Sequence, residues 1–111
     1  MKYEQPPDLD KESAIKKLST SRIEDIPLLL AGISQIDDYK WVQDTFLKYL
    51  CHDDFWVAKS AINGFSDLAR IHGQLDLEKV TASLKELAIK KPSLSGYVEE
   101  TLEDLKIFLG D

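Results

Sequence analysis

Residues 52–68 read HDDFWVAKSAINGFSDL and carry the clearest helical pattern in the chain. The apolar or small residues of this stretch recur at intervals of three and four, at Val57, Ala61, Gly64, Phe65 and Leu68. Such spacing places side chains on one face of an α-helix. We therefore predict a helix over residues 54–72, ended by a left-handed residue at Gly73.

The same pattern returns about 37 residues further along the chain. At that interval the five stripe positions fall on Leu94, Val98, Thr101, Leu102 and Leu105. In the preceding helices, Leu47 and Leu50 fall on Leu84 and Leu87 at the same interval. A repeat near 40 residues built from two helices is typical of a helical solenoid, because one hairpin cannot bury its own apolar face. An ordinary antiparallel six-helix bundle is the alternative interpretation.

The rest of the chain is also predicted to be helical, because its β-branched residues never alternate over the length of a strand. We predict an all-α fold of three stacked antiparallel hairpins, with helices over residues 11–19, 23–34, 38–51, 54–72, 76–91 and 94–109. Residues 1–10 are expected to form an extended arm, and residues 11–111 a single domain. Asp10, Ser21 and Asp76 are predicted N-caps, with Glu24 as the capping-box partner of Ser21.

The composition excludes several classes of protein. The chain has 111 residues, 43% of them hydrophobic, with 14 Lys plus Arg, 20 Asp plus Glu and a formal net charge of −6. An acidic balance argues against nucleic-acid binding, which needs cations against phosphate, and suits a partner with a basic surface. A single cysteine, no secretory signal and no run of roughly 20 apolar residues predict a cytoplasmic protein that does not enter a membrane.

Catalytic and metal chemistry find little support in the sequence. Cys51 and His52 are neighbours, but adjacent helical residues do not face each other, and we expect Cys51 to be buried at the end of the third helix. We expect His72 to cap its own helix. The sequence has no spaced His or Cys ligands, no calcium loop and no glycine-rich phosphate loop. We predict a protein without catalytic, metal or cofactor-binding residues; a small enzyme using these three residues is the alternative.

Residues 52–65 resemble the second half of a HEAT repeat. That motif has an acidic turn, a Val-Arg pair, a following Ala, and a small residue before a large apolar one. Val57, Ala61, Gly64 and Phe65 match these positions, whereas Ala58 stands where the motif has arginine. The resemblance covers residues 38–109 and implies a short HEAT-like solenoid.

A narrower resemblance is carried by DYKWVQ at residues 38–43, LARIHG at 68–73 and LDLEKV at 75–80. These stretches are similar to small bacterial HEAT-like proteins that are encoded beside polymorphic toxins. Some of those serve as immunity proteins in contact-dependent growth inhibition, including against nuclease toxins of the EndoU type. The resemblance implies a protein that neutralises the C-terminal domain of one cognate toxin, one to one. A HEAT-like adaptor or regulatory module with an unrelated partner is the alternative.

The predicted hairpins would place their second helices on one shared face, which is the candidate partner-binding surface. We assign to it residues between the core positions, together with one residue of the third helix: Trp56, Asn63, Asp67, Tyr97, Glu100, Glu103, Asp104 and Tyr39. Residues 93–111 hold five carboxylates against one Lys, which accounts for four of the six excess negative charges. We predict that these carboxylates cover the basic active site of a nuclease toxin. A solvated helix face, with Trp56 filling a turn, is the alternative.

Overall fold

In the computed structural model, which describes residues 10–110, six α-helices follow one another without a strand among them. Their bounds are α1 (Lys11–Thr20), α2 (Ile26–Ile33), α3 (Tyr39–Tyr49), α4 (Phe55–His72), α5 (Leu77–Lys90) and α6 (Ser95–Leu109). Short 3-10 turns, Ile23–Asp25 and Pro92–Leu94, precede α2 and α6. The all-α prediction with six helices is confirmed. Residues 1–9 of the predicted arm lie outside the described residues.

Aspartate side chains begin four of these helices. Asp10 accepts a hydrogen bond from the Ser13 N–H at 2.7 Å, and Asp76 accepts one from the Lys79 N–H at 3.2 Å. Both predicted N-caps are therefore confirmed. Asp38 and Asp54 begin α3 and α4 in the same way. Each carboxylate satisfies N–H groups that have no acceptor within the helix.

The predicted N-cap at Ser21 is wrong. Its hydroxyl donates to the carbonyl oxygen of Lys17, so Ser21 ends α1 and does not begin α2. The backbone at Ser21 is extended, with ψ at 155°, and the 3-10 turn Ile23–Asp25 is preceded by Arg22, which makes no side-chain cap. The Lys17 carbonyl oxygen also accepts the Ser21 N–H at 2.9 Å, so backbone and side chain of Ser21 both bond to the last turn of α1.

The centre of the core is α4, which contacts α2, α3 and α6. The apolar side chains of its stripe are completely buried, and the Phe65 ring meets the Phe46 ring of α3 edge to face, with centroids 5.5 Å apart. The matching stripe is buried at Leu94, which ends the preceding 3-10 turn, and at Val98, Thr101 and Leu105 of α6, while Leu102 is only partly covered. Leu102 is less covered because it lines an open groove between α5 and α6.

Two hydrogen bonds connect α4 to α6. Thr101 donates from Oγ1 to the carbonyl oxygen of Ile62 at 3.4 Å, and Ser66 donates from Oγ to Asp104 Oδ2 at 3.0 Å. These pairs are 39 and 38 residues apart, close to the 37-residue interval of the sequence pattern. Equivalent parts of the two helices therefore lie side by side.

Two expectations about single side chains are wrong. Cys51 is exposed, because α3 ends at Tyr49 and the chain turns outward before α4 begins. His72 does not cap α4, since its Nε2 donates to the Ser34 carbonyl oxygen at the end of α2, at 2.9 Å. Gly73 ends α4 as predicted, with φ at 68° and its N–H bonded to the Ala69 carbonyl oxygen.

Candidate functional site

Aromatic side chains from the first turns of α4 and α6 meet at the surface. The Phe55 ring lies 5.1 Å from the Trp56 ring and 6.0 Å from the Tyr97 ring, between centroids. The Lys59 Nζ lies 5.0 Å from the Trp56 centroid and 4.7 Å from the Tyr97 centroid. We call these four residues the aromatic cluster. Two of them, Trp56 and Tyr97, were predicted from the sequence, and tertiary packing brings them together.

Trp56 is the most open member of the aromatic cluster. Its side chain is 61% exposed, so it does not fill the turn, whereas Phe55 and Tyr97 are half-buried. Sequence reasoning overlooked Lys59 in this role. The only signal for it was its position three residues after Trp56, a spacing that brings two side chains together on a helix. Nothing in the sequence placed Lys59 near Tyr97, which is 38 residues away.

Four carboxylates of α6 form what we call the acidic strip: Glu99, Glu100, Glu103 and Asp104. Glu100 and Glu103 are exposed, and Asp104 is half-buried where it accepts the Ser66 hydroxyl. Among residues 10–110, none of the four ion pairs includes a carboxylate of this strip. Tyr97 lies three residues before Glu100, so the aromatic cluster and the acidic strip adjoin on α6. The negative charge of the acidic strip is therefore available to a partner.

The predicted α4 residues share one face of their helix. Trp56, Asn63 and Asp67 are seven and four residues apart, which aligns their side chains along the helix. Asn63 is exposed, and Asp67 is half-buried and paired with Arg70 at 3.2 Å. The ion pair offsets the charge of Asp67, so among the predicted residues of α4 and α6 the unpaired carboxylates lie on α6.

Tyr39 lies elsewhere in the molecule. It lines a separate groove with Leu75, Asp76 and Lys79, where the loop after α4 packs against the start of α3. That loop is held by the buried Gln43, whose Oε1 accepts the Asp76 N–H at 2.6 Å. The structure does not join Tyr39 to the aromatic cluster.

A groove between the start of α2 and the start of α4 was not predicted. It measures about 310 Å³ and is lined by Ile23, Glu24, Pro27, Asp54 and Trp56. We call it the α2–α4 groove. Because its walls come from residues about 30 positions apart, no local pattern could have indicated it. Trp56 belongs both to this groove and to the aromatic cluster.

A wider groove of about 380 Å³ runs between α1 and α3, and Ile15, Trp41 and Tyr49 are among its lining residues. Partial burial raises the pKa of the Tyr49 hydroxyl. Beside it, the Lys11 ammonium donates to Asp38 at 2.8 Å and, together with the Trp41 N–H, lowers the pKa of that carboxyl. The Lys11–Asp38 bond attaches the start of α1 to the start of α3, and the groove beside it is lined by one acid and one base, Asp44 and Lys48.

The residues named for the enzyme alternative are separated in the structure. The His52 Nδ1 accepts the Asp54 N–H at 3.0 Å in the turn before α4, beside the exposed Cys51. His72 lies at the other end of that helix, bonded to α2. Within residues 10–110, no group of three His, Cys, Asp or Glu side chains could hold a metal ion, and none of the helices is long and apolar enough to cross a membrane.

Comparison with known proteins does not identify a relative. No family model, no curated protein and no solved structure matches the chain.

Proposed function

We propose that the protein is a cytoplasmic immunity protein that binds the C-terminal domain of one cognate toxin, one to one, in a contact-dependent growth inhibition system. The toxin domain would be a nuclease whose basic active site is covered by the acidic strip. The unpaired carboxylates of α6, next to an exposed tryptophan, are the observation that carries this proposal. The resemblance to immunity proteins beside polymorphic toxins supports it.

The electrostatics of the strip suit such a partner. A nuclease needs cations at its active site, because it must hold phosphate groups. Carboxylates three or four residues apart on a helix are about 5–6 Å apart at their Cβ atoms, so they offer a row of negative charge in place of phosphates. Complementary charge also speeds the encounter of two proteins.

The aromatic cluster would supply the apolar part of the contact. Exposed tryptophan and tyrosine are enriched among the residues that dominate interface energy. Lys59 already lies against both rings, so Trp56 and Tyr97 are held in place before a partner arrives. A surface ordered in advance loses less entropy on binding.

The proposal includes a HEAT-like stacking of three hairpins, α1–α2, α3–α4 and α5–α6. Contacts within these pairs, and of α4 with α2 and α6, are compatible with it. A HEAT-like adaptor for an unrelated partner would use the same surface but would not recognise a toxin.

Co-expression with the toxin domain encoded by the neighbouring gene tests the proposal. We expect protection of the cells, inhibition of nuclease activity in vitro and a complex with one copy of each chain by light scattering. Growth arrest in spite of full expression, together with no binding by calorimetry, would contradict the proposal and favour the adaptor.

Charge reversal on α6 tests the surface. We expect Glu100→Lys, Glu103→Lys and Asp104→Lys together to weaken toxin binding by at least about tenfold, because paired opposite charges become like charges. The matched control reverses Glu12, Asp44 and Glu78, three exposed acids on other helices that form no ion pair within residues 10–110. Calorimetry should separate the two triple variants, with circular dichroism showing that both stay helical. Equal affinities would place the contact elsewhere.

A further inference from the structure

The α2–α4 groove has the chemistry of a binding site for one cationic side chain. Its apolar wall is formed by Ile23, Pro27 and Trp56, and its two charged residues are the carboxylates Glu24 and Asp54. At about 310 Å³ it lies at the lower end of the volumes typical of ligand pockets, so it suits one long side chain better than a helix or a strand. Ile23 and Trp56 are 52% and 61% exposed, which leaves the wall open to a partner.

We propose that this groove accepts one arginine side chain of a basic partner protein. This inference rests on the proposed function for the identity of that protein. The groove adjoins the aromatic cluster through Trp56, so a protein that lies along the acidic strip can reach it.

Trp56 is suited to hold a cation. Its ring already has the Lys59 ammonium 5.0 Å from the centroid, shared with Tyr97 on the α6 side. Trp56 also lines the α2–α4 groove, together with Ile23 and Pro27. A guanidinium stacks on an aromatic face more readily than an ammonium does, because it is planar and more weakly hydrated.

The two carboxylates of the groove can accept hydrogen bonds from the N–H groups along the edge of the guanidinium. Asp54 uses Oδ1 for both the Trp56 N–H, at 2.9 Å, and the Val57 N–H, at 3.1 Å. Among residues 10–110 no donor is bonded to its Oδ2, which is therefore available. Glu24 is paired only with Arg22, at 3.4 Å, and both side chains are more than 70% exposed. Such a pair is weak and can exchange for a new cation.

Two cations and one helix start bring positive charge near the groove. Arg22 is paired with Glu24, Lys59 lies over the Trp56 ring, and the positive end of the α4 dipole lies at Asp54. Lys59 is engaged by the two rings of the aromatic cluster, and Asp54 offsets the helix start by accepting its N–H groups. Two carboxylates therefore remain to attract one incoming arginine, whose planar donors match a carboxylate edge.

Nuclear magnetic resonance can test the site with a small probe, Nα-acetylarginine methylamide. We expect the indole N–H signal of Trp56 to shift on titration, with a dissociation constant on the order of millimolar. The citrulline analogue, which is neutral and nearly the same shape, should bind at least about tenfold more weakly. The Trp41 indole, in the α1–α3 groove, serves as the internal reference.

The double variant Glu24→Gln and Asp54→Asn makes the corresponding test on the protein, because it removes the two charges of the groove. Asparagine still caps a helix, so the fold is kept while both charges are removed. We expect the arginine probe to lose at least about tenfold in affinity and the toxin domain to dissociate faster. Equal shifts with arginine and citrulline, equal shifts at Trp41, or unchanged arginine binding in the double variant would each overturn the inference.

The two proposals fail in different ways. If the probe binds as expected but the unsubstituted protein does not bind the toxin domain, the arginine site stands and the immunity function falls. If the toxin domain binds and is inhibited while the probe shows no preference for charge, the immunity function stands and the arginine site falls.

Discussion

Gly64 illustrates how a single residue limits the packing of the core. A Cβ atom at this position would lie 2.5 Å from Cζ of Phe46 and 2.7 Å from two further ring atoms. The Phe46 ring in turn meets Phe65 edge to face and is completely buried. The absence of a side chain on α4 is thus what lets α3 approach it closely at this point.

We expect Gly64→Ala to destabilise the protein by about 1–3 kcal/mol, because a buried ring must move to make room for a methyl group. The matched control is Gly96→Ala in the first turn of α6, where nothing lies within 4 Å of the added atom. That change should be neutral or stabilise by up to about 1 kcal/mol, through helix propensity. Urea unfolding measures both, and equal free energies of unfolding would contradict the packing argument.

At the scale of a whole helix, a few hydrogen bonds at its start fix where it begins. The turn between α3 and α4 is fixed by local bonds, since His52 accepts the Asp54 N–H and Asp54 accepts two N–H groups of α4. Lys91 reaches back to the His52 carbonyl oxygen at 3.1 Å and links the end of α5 to this turn. The orientation of α4, and with it Trp56, depends on these contacts.

We expect Asp54→Ala to cost about 0.5–2 kcal/mol of stability, because two N–H groups at the start of α4 lose their acceptor. Asp53→Ala is the matched control, since Asp53 is exposed and precedes the cap. That substitution should change the stability by less than about 0.5 kcal/mol. Thermal and urea unfolding compare the two variants. An equal loss in both would show that the cap does not stabilise α4.

Across the whole molecule the charge is unevenly spread. The net charge is −6, and residues 93–111 hold five carboxylates against one Lys. The four carboxylates of the acidic strip form no ion pairs within residues 10–110. The strip adjoins the aromatic cluster, which in turn adjoins the α2–α4 groove through Trp56. A single partner could therefore use all three surfaces at once.

We expect the association rate with the toxin domain to fall by about tenfold or more as salt rises from low to high concentration, since screening shortens the range of the strip's field. The dissociation rate should change much less, because it depends on close contacts. Stopped-flow measurements at several ionic strengths give both rates. An association rate that does not depend on salt would contradict electrostatic steering by α6.

Much of the fold was predictable because a helix is specified by residues that lie close together in the sequence. Val57 and Leu68 belong to a stripe with the period of a helix, and Asp10, Asp76 and Gly73 carry the chemistry of helix ends. The prediction of Ser21 as an N-cap was wrong because a serine hydroxyl can bond to the helix before it as easily as to the helix after it. Local sequence does not say which. The prediction that Cys51 is buried was wrong because apolar character at a helix end does not tell whether another element covers that residue.

The candidate site was predictable only in part. Trp56 and Tyr97 could be assigned to positions between the core residues from the helical period, and the charge of α6 could be counted. Their meeting through Lys59 could not be foreseen, because it depends on the angle at which α4 and α6 pack. Tyr39 was grouped with them by composition, and the fold places it in a different groove.

The chain alone specifies which residues face inward, since the 3.6-residue period and the capping aspartates act within a few positions. It also specifies the excess negative charge of the last helix. Tertiary packing specifies which residues of different helices become neighbours: His72 with Ser34, Lys59 with Tyr97, and Trp56 with Ile23 and Pro27. The physical reason is that these contacts join residues about 30 to 40 positions apart, whose distance depends on how the helices pack and not on any local periodicity.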